Sequence, residues 1–404
     1  VPKELMEEWG RKDPVVNYEN WLLAEGVLSE SVKEATRKEF KQRIEDGLEI
    51  AFAEEEVRFD EERELADVYA PHVYSQEFPA SDRQSEKRLV DAISDGLRQS
   101  MERHPGLVLM GQDIADYGGV FKITEGFVER FGKDRVRNTP LCESAIVGAA
   151  LGLSIKGMKG MVEMQFADFV SEAMTQICNN LAKIHYRWGQ NADVVVRMPT
   201  GAGVGAGPFH SQSNEAWFFH TPGLKIAYPS NPYDAKGLLI ASFDDPNPVM
   251  FFEHKALYRS ITGPVPDDPY TIPFGQARTV REGNDLSIIT YGMGVHWAAA
   301  ALDKHPEVQA DLIDLRTLAP LDWHTVIGSV RRTGKAIILH EDTLTGGIGG
   351  EISAVLNNEC FQDLDAPVVR VGAPDTPVPF APSLEKDWLP TAEFERKLLS
   401  LWKY

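Results

Sequence analysis

The residues of this chain that could do chemistry fall in three short segments. In the first, NTPLCESAIVG (138–148), the carboxylate of Glu143 lies in the first turn of a helix that is apolar on most faces. Thr139 is placed to cap that helix, Pro140 suits its first position, and Ile146, Ala149, Ala150 and Leu153 form its apolar stripe. Such a carboxylate can simply complement the helix dipole, which is worth about 0.3–1 kcal/mol. It can also hold or move a proton. In the second, VEMQFADFVSEAMTQICNN (162–180), a strand runs into a helix, so Gln165, Phe166 and Phe169 lie at the carboxyl end of the strand. Open α/β sheets place ligands there, although an aromatic is more often core than contact. The third, TGAGVGAGPFHSQSNEAWFFH (200–220), has four alternating glycines, but the spacing is not G-x-G-x-x-G, no helix opens at once, and Pro208 interrupts. It reads better as a flexible loop that delivers His210 to a cleft, the rival being a solvated loop histidine. GGIGGE (346–351) reads as tight packing at a helix start, and Asp244–Asn247 as an Asx-type turn. There is no H-x-x-x-H or C-x-x-C cluster, no P-loop and no G-x-S-x-G.

The elements that must position these groups alternate. Strands are expected at 107–110, 160–165, 194–198, 225–228 and 249–252, with helices at 85–103, 143–156, 169–188 and 232–243. That is the βα order of a mostly parallel, doubly wound sheet covered by helices. The Pro-rich run TGPVPDDPYTIPFG (262–275) reads as a linker to a second, smaller α/β domain, with strands near 286–291, 309–315, 336–339 and 368–371. Ahead of both lies a charged, strand-poor helical stretch in which Ser29, Glu30 and Ser31 open a long amphipathic run. The expected organisation is a helical segment at 1–74 and α/β domains at 82–262 and 273–404.

A chain of 404 residues with 43% hydrophobic and 25% charged residues is ordinary for a globular protein of two or three domains. Its formal charge of −20 argues against nucleic acid or an anionic membrane as partner and suits a basic protein partner. Three widely spaced cysteines make neither a disulfide framework nor a zinc site, and read as reduced thiols. No apolar run approaches the roughly 18 residues of a membrane span. The chain opens at Val1 in an already helical pattern, the expectation for a portion of a longer polypeptide.

Together NTPLCE, QFADF, the glycine-rich loop into FHSQS, TPGLKIAYPSNPYDAKGLL, NPVMFFEHKALYR, DLIDLRTLAPLDW and HEDTLTGGIGGEI resemble the beta subunit of the thiamine-diphosphate-dependent decarboxylating component of 2-oxo acid dehydrogenase complexes, over 85–404. FFEHKALYR, DLRTLAPLDW and the ending LLSLWKY lean to the branched-chain members over the pyruvate members. RKDPVVNYENWLLAEG and ELADVYAP resemble instead the carboxyl-terminal helices of the family's alpha subunit, as in a fused alpha–beta polypeptide. The resemblance implies an α/β fold with a pyrimidine-binding domain and a transketolase C-terminal-like domain. It implies oxidative decarboxylation of a 2-oxo acid with reductive acylation of lipoyl-lysine on an acyltransferase core.

In this family a glutamate at the position of Glu143 contacts a pyrimidine ring nitrogen of thiamine diphosphate. Phe169 and Gln165 match residues of the same pocket, and His210 matches a histidine near the reacting carbon. Asp113 and Asp116 stand where members often carry Glu. The magnesium and diphosphate motif is absent, so Mg2+ ligands are expected on an alpha-like half, upstream or on a partner, in an alpha2beta2-like assembly or a homodimer of fused chains. The resemblance further implies a potassium site at the Asp245–Asn247 turn with carbonyls near Val194 and Val195. It also implies an acidic docking surface with Glu341, Asp342 and Glu351, and a cytoplasmic (bacterial) or mitochondrial-matrix location. Rival readings are the pyruvate enzyme, another transketolase-like enzyme, and a non-catalytic scaffold.

Overall fold

A computed structural model describes every residue from Val1 to Tyr404. The chain divides into two units, Val1–Glu62 and Arg63–Tyr404. The first contains helices Lys3–Arg11, Pro14–Ala24 and Glu30–Ala53. Asp13 caps the second by accepting the Val16 amide, with Pro14 at the first helical position, and Ser29 caps the third through the Val32 amide, as the sequence anticipates. Arg37 reaches both carboxylate oxygens of Glu19, at 2.7 and 2.6 Å, tying the last two helices together. None of these helices contains a buried residue, and Trp9, Trp21, Phe40 and Ile44 are all more than half exposed.

The second unit is built on strands β1 (Gln84–Arg88), β2 (Leu107–Gly111), β3 (Val136–Asn138), β4 (Lys159–Glu163), β5 (Val194–Thr200), β6 (Lys225–Ala227), β7 (Val249–His254), β8 (Thr262–Pro266), β9 (Arg278–Arg281), β10 (Leu286–Thr290), β11 (Ala310–Asp314), β12 (Thr317–Ala319), β13 (Ala336–Thr343) and β14 (Val369–Ala373). A seven-stranded sheet runs β12-β6-β7-β5-β4-β2-β3 and a five-stranded sheet runs β14-β13-β10-β11-β9. Each is parallel except for one antiparallel edge strand, β12 in the first and β9 in the second. Every residue of β2, β5 and β7 is buried, as in a parallel strand covered on both faces; the runs are apolar apart from Arg197 and Thr200 on β5 and Glu253 and His254 on β7. Alternate residues serve two cores. Val194, Val196 and Met198 join the core that includes Ile146 and Ala150, while Val195 joins the one under Leu89–Arg103 and Pro232–Asp244.

The structure departs from expectation at three places. Thr262–Pro266, read as the start of a linker, is β8 and pairs antiparallel with β1, so the helix expected from 85 starts at Leu89. The single helix expected at 169–188 is broken into a 3-10 turn (Ala167–Ala173), a π-helical turn (Thr175–Leu181) and a short α-helix (Ile184–Trp188). The helical segment expected to run to 74 stops earlier. Tyr69 donates to the Leu224 carbonyl, and Asn247 bonds both backbone groups of Ala70, at 2.8 and 3.0 Å. β12 lies in sequence between strands of the second sheet and pairs with β6 of the first.

Two buried charge clusters hold this unit together. Arg197 on β5 is fully buried; its Nη1 donates to Glu163 on β4 at 2.8 Å, and Nε and Nη2 fork onto Glu253 on β7 at 2.7 Å each. Tyr258 donates a further 2.6 Å bond to Glu253. Burial pushes the Glu163 carboxyl up, and the Arg197 charge pulls it back. Between the sheets, fully buried Glu215 accepts from Tyr291 at 2.7 Å, and burial followed by the charge of Asp342 pushes its pKa up to about 8.

Removing the guanidinium by Arg197→Met leaves two buried carboxylates facing each other, so denaturant unfolding is expected to show a loss of about 3–5 kcal/mol. Glu215 binds its proton more tightly folded than unfolded. It therefore lowers stability as pH rises from its unfolded pKa near 4.5 towards about 8. Glu215→Gln should flatten the stability–pH profile between about pH 6 and 8 by on the order of 1 kcal/mol per pH unit, measured by unfolding at stepped pH.

Candidate active site

Glu143 is the first residue of helix Glu143–Ile155, five residues beyond the end of β3. Neither anticipated capping group acts as expected. The cap position is Cys142, whose side chain makes no cap bond, and the buried hydroxyl of Thr139 has no partner. The helix therefore begins on Glu143 itself. Its Oε1 accepts a 2.9 Å hydrogen bond from Gln112 Nε2, while no protein group bonds Oε2.

Gln112 follows β2 directly and is buried, with its own carbonyl oxygen unpartnered. Its neighbour Asp113 has φ +58°, the left-handed region, and accepts from Gln165 Nε2 at 3.4 Å. Asp116 instead points away and pairs with Lys133 at 3.4 Å. Gln165 leads into Phe166, whose ring meets His210 edge-on at 4.9 Å, and Phe169 meets the same imidazole at 5.5 Å. The segment bearing Phe169 packs against the helix of Glu143. Glu143, Gln165, Phe169 and His210 are thus brought into one neighbourhood at the carboxyl ends of β2, β4 and β5. His220 lies on the exposed end of the short helix Glu215–Phe219, outside it.

The sequence did not single out Gln112, because an amide after an apolar strand carries no periodic or motif signal. Lys255 was also missed. It follows β7, and its ammonium is buried without a hydrogen-bond partner, 5.7 Å from the Phe166 ring centroid. Burial pushes its pKa down to about 8, against the attraction of Asp168, Glu341 and Glu385.

The side-chain oxygens of Asp245 and Asn247, the residues of the implied potassium site, are engaged by protein groups. Asp245 Oδ2 is taken by Lys225 at 2.6 Å and by Tyr74, and its Oδ1 accepts the backbone and side-chain amides of Asn247. The Asn247 oxygen accepts the Ala70 amide. An ammonium already supplies the positive charge, and the Asx-type turn read from the sequence is present. No group of three or more His, Cys, Asp or Glu residues could hold a metal ion.

Glu341, expected at a docking surface, is buried and faces inward, and Glu351 is exposed. Burial raises the pKa of half-buried Asp342 to about 6. Two glycines of GGIGGE pack tightly: a Cβ on Gly347 or Gly349 would come within 2.6 or 2.8 Å of the His340 ring. Cys142 and Cys178 are half-buried and Cys360 is buried, all as free thiols. No helix is long and apolar enough to cross a membrane.

Comparison with known proteins agrees with this architecture. Residues 86–260 match the family of the transketolase pyrimidine binding domain, and 275–394 that of the transketolase C-terminal domain. The solved structure of a split-gene transketolase, an inactive beta4 tetramer, shares the fold with a TM-score of 0.66 at 21% identity, covering 78% of this chain and 98% of that one. The 2-oxoisovalerate dehydrogenase subunit beta of Bacillus subtilis is 47% identical over 302 residues, 74% of this chain and 92% of the relative. The pyruvate dehydrogenase E1 component subunit beta of the same organism is 43% identical over 319 residues, 77% of this chain and 98% of the relative. With a pyrimidine-binding and a C-terminal transketolase domain in this order, and this identity across nearly whole relatives, the chain belongs to the family of 2-oxo acid dehydrogenase beta subunits.

Proposed function

We propose that this chain contributes one half of a thiamine-diphosphate site that oxidatively decarboxylates a branched-chain 2-oxo acid and transfers the acyl group to lipoyl-lysine on an acyltransferase core. The observation that carries the reading is the state of Glu143, whose carboxylate has one oxygen fixed by Gln112 and the other unbonded, on a helix that packs against the segment bearing Phe169. Dipole complementation alone would need neither the fixed oxygen nor the free one. The residues fit the cofactor's pyrimidine ring: Glu143 Oε2 for a ring nitrogen, Phe169 for an apolar edge, and Gln165 for the rim. When bound, the cofactor supplies a nucleophilic ring carbon and an electron sink.

Glu143 would hold a proton at Oε2, while Gln112 fixes the carboxylate through its other oxygen. His210, carried on its loop and braced by Phe166 and Phe169, moves a proton during acyl transfer. Magnesium and its diphosphate are assigned to an alpha-type half. Read as the end of such a subunit, the segment 1–74 would make this a fused alpha–beta chain that assembles as an alpha2beta2-like particle in cytoplasm or mitochondrial matrix. FFEHKALYR (251–259) and the slightly higher identity to the 2-oxoisovalerate enzyme favour the branched-chain substrate over pyruvate.

In the assembled enzyme, Glu143→Gln should lower decarboxylation with an artificial electron acceptor at least ~10²-fold, with the thermal midpoint unchanged. Retained turnover would remove the reading. kcat/KM for 3-methyl-2-oxobutanoate should exceed that for pyruvate by about tenfold or more, the scale set by added methyl groups; the reverse order would assign the pyruvate enzyme.

A further inference from the structure

The loop that carries His210 is held by the other sheet's half of the molecule. Gly201, Gly203, Gly205 and Gly207 all have positive φ, between +70° and +90°, so successive amides turn to one side and form a concavity suited to an anion. That concavity is filled by protein carboxylates. The Gly203 amide donates to Glu385 Oε1 at 2.8 Å and the Gly205 amide to Glu385 Oε2 at 2.9 Å, so a single carboxylate spans the turn. The Ala202 amide donates to Glu341 Oε1 at 2.6 Å, and Ser213, just past His210, donates to the same oxygen at 3.1 Å.

Both carboxylates are about 95% buried and come from beyond β12: Glu341 from β13, Glu385 from helix Pro382–Trp388. Glu341 is itself fixed, its Oε2 lying 2.8 Å from His254 Nε2. Burial acts to raise its pKa, but His254, the Ala202 amide and Ser213 bring it below the usual carboxylate range. The unpaired ammonium of Lys255 lies within the field of both carboxylates and offsets their charge. A third contact completes the hold: the Phe380 ring lies against Gly207, where a Cβ would come within 2.5 Å of it. The far strand of the loop is closed by Thr200 Oγ1, which donates to the Gln212 carbonyl at 2.9 Å. Within its own domain the His210 imidazole meets the edges of Phe166 and Phe169, its amide donates to the Gly207 carbonyl, and the Gln212 amide donates to Asp168 at 3.1 Å, while neighbouring Phe209 is 73% exposed.

We infer that Glu385 and Glu341 are positioning residues for His210: by capturing the amides of Ala202, Gly203 and Gly205, the C-terminal region sets where the imidazole stands, and the same capture bars the loop from cradling a phosphate. The consequence for catalysis rests on the role proposed for His210; the capture itself does not. Glu385→Gln keeps the shape but leaves one oxygen acceptor for two amides.

In hydrogen exchange on the chain without cofactor, the 202–210 segment should exchange at least about tenfold faster in this variant, while β5 and helix Thr391–Trp402 keep their wild-type protection. In the assembled enzyme kcat should fall about tenfold, with KM for the 2-oxo acid changed less than about twofold, because a displaced proton-transfer group alters the transition state more than substrate binding. Phe380→Ala, at a 70% exposed residue, loosens the same loop without touching a buried charge and should show a weaker form of both effects, so the inference remains testable if Glu385→Gln unfolds. Unchanged exchange at 202–210 overturns the capture. Faster exchange with unchanged kcat overturns the positioning role even where Glu143→Gln abolishes turnover. If wild type shows no decarboxylation at all, the proposed function fails while the exchange result still decides the capture.

Discussion

Arg197 is the side chain on which the centre of the larger sheet depends. It lies wholly buried on β5, flanked by Glu163 on β4 and Glu253 on β7, so three adjacent parallel strands are joined by a charge network at their carboxyl ends. A guanidinium can fork across two carboxylates in one plane, which an ammonium cannot do. Such a network is not a cheap source of stability, because desolvation opposes its Coulombic gain. It does specify register: sliding any of the three strands by one residue would send a buried charge to the wrong face of the sheet. The segments that leave β4 and β5 carry Gln165, Phe169 and the glycine-rich loop, so their placement inherits that register.

The site itself is assembled from parts that are individually unremarkable. Glu143 starts a helix with no side-chain cap, and its carboxylate is free to engage Gln112 because it is not folded back onto the helix amides. The left-handed backbone at Asp113 turns the chain sharply after Gln112 and brings Asp113 to Gln165. Broken helical winding after Phe166 sets Phe169 against His210, where one regular helix from 169 would have rotated it differently. Each departure from regular geometry falls at the carboxyl edge of the sheet, the usual position of ligand sites in open α/β folds.

The second sheet contributes more than a neighbouring domain would. β12 pairs with β6, and Glu341 and Glu385 reach the glycine-rich loop. Tyr291, at the end of β10, meets buried Glu215 beyond that loop. The loop's glycines, which invite a phosphate-binding reading, are occupied by carboxylates from the same chain. Glu341 thereby changes from a candidate surface residue to an interior one.

Periodicity and composition were enough for the α/β class, most strand positions and the charged helices at the start, because continuous apolar runs and caps such as Ser29 are local signals. Motifs at strand ends drew attention to Glu143, Gln165, Phe169 and His210, but their assignment to one cofactor pocket came from the family resemblance. What they did not carry was partnership over long separations. β1 with β8, Gln112 with Glu143, Lys225 with Asp245, and Glu385 with Gly203 and Gly205 are each decided by where distant segments meet. A hydrogen bond from a side chain to a backbone amide far away in sequence leaves no trace in residue type, and a buried ion pair looks in sequence like two surface charges. Only the folded chain determines which carboxylate keeps an unbonded oxygen at the edge of the sheet and which is spent on holding the glycine-rich loop.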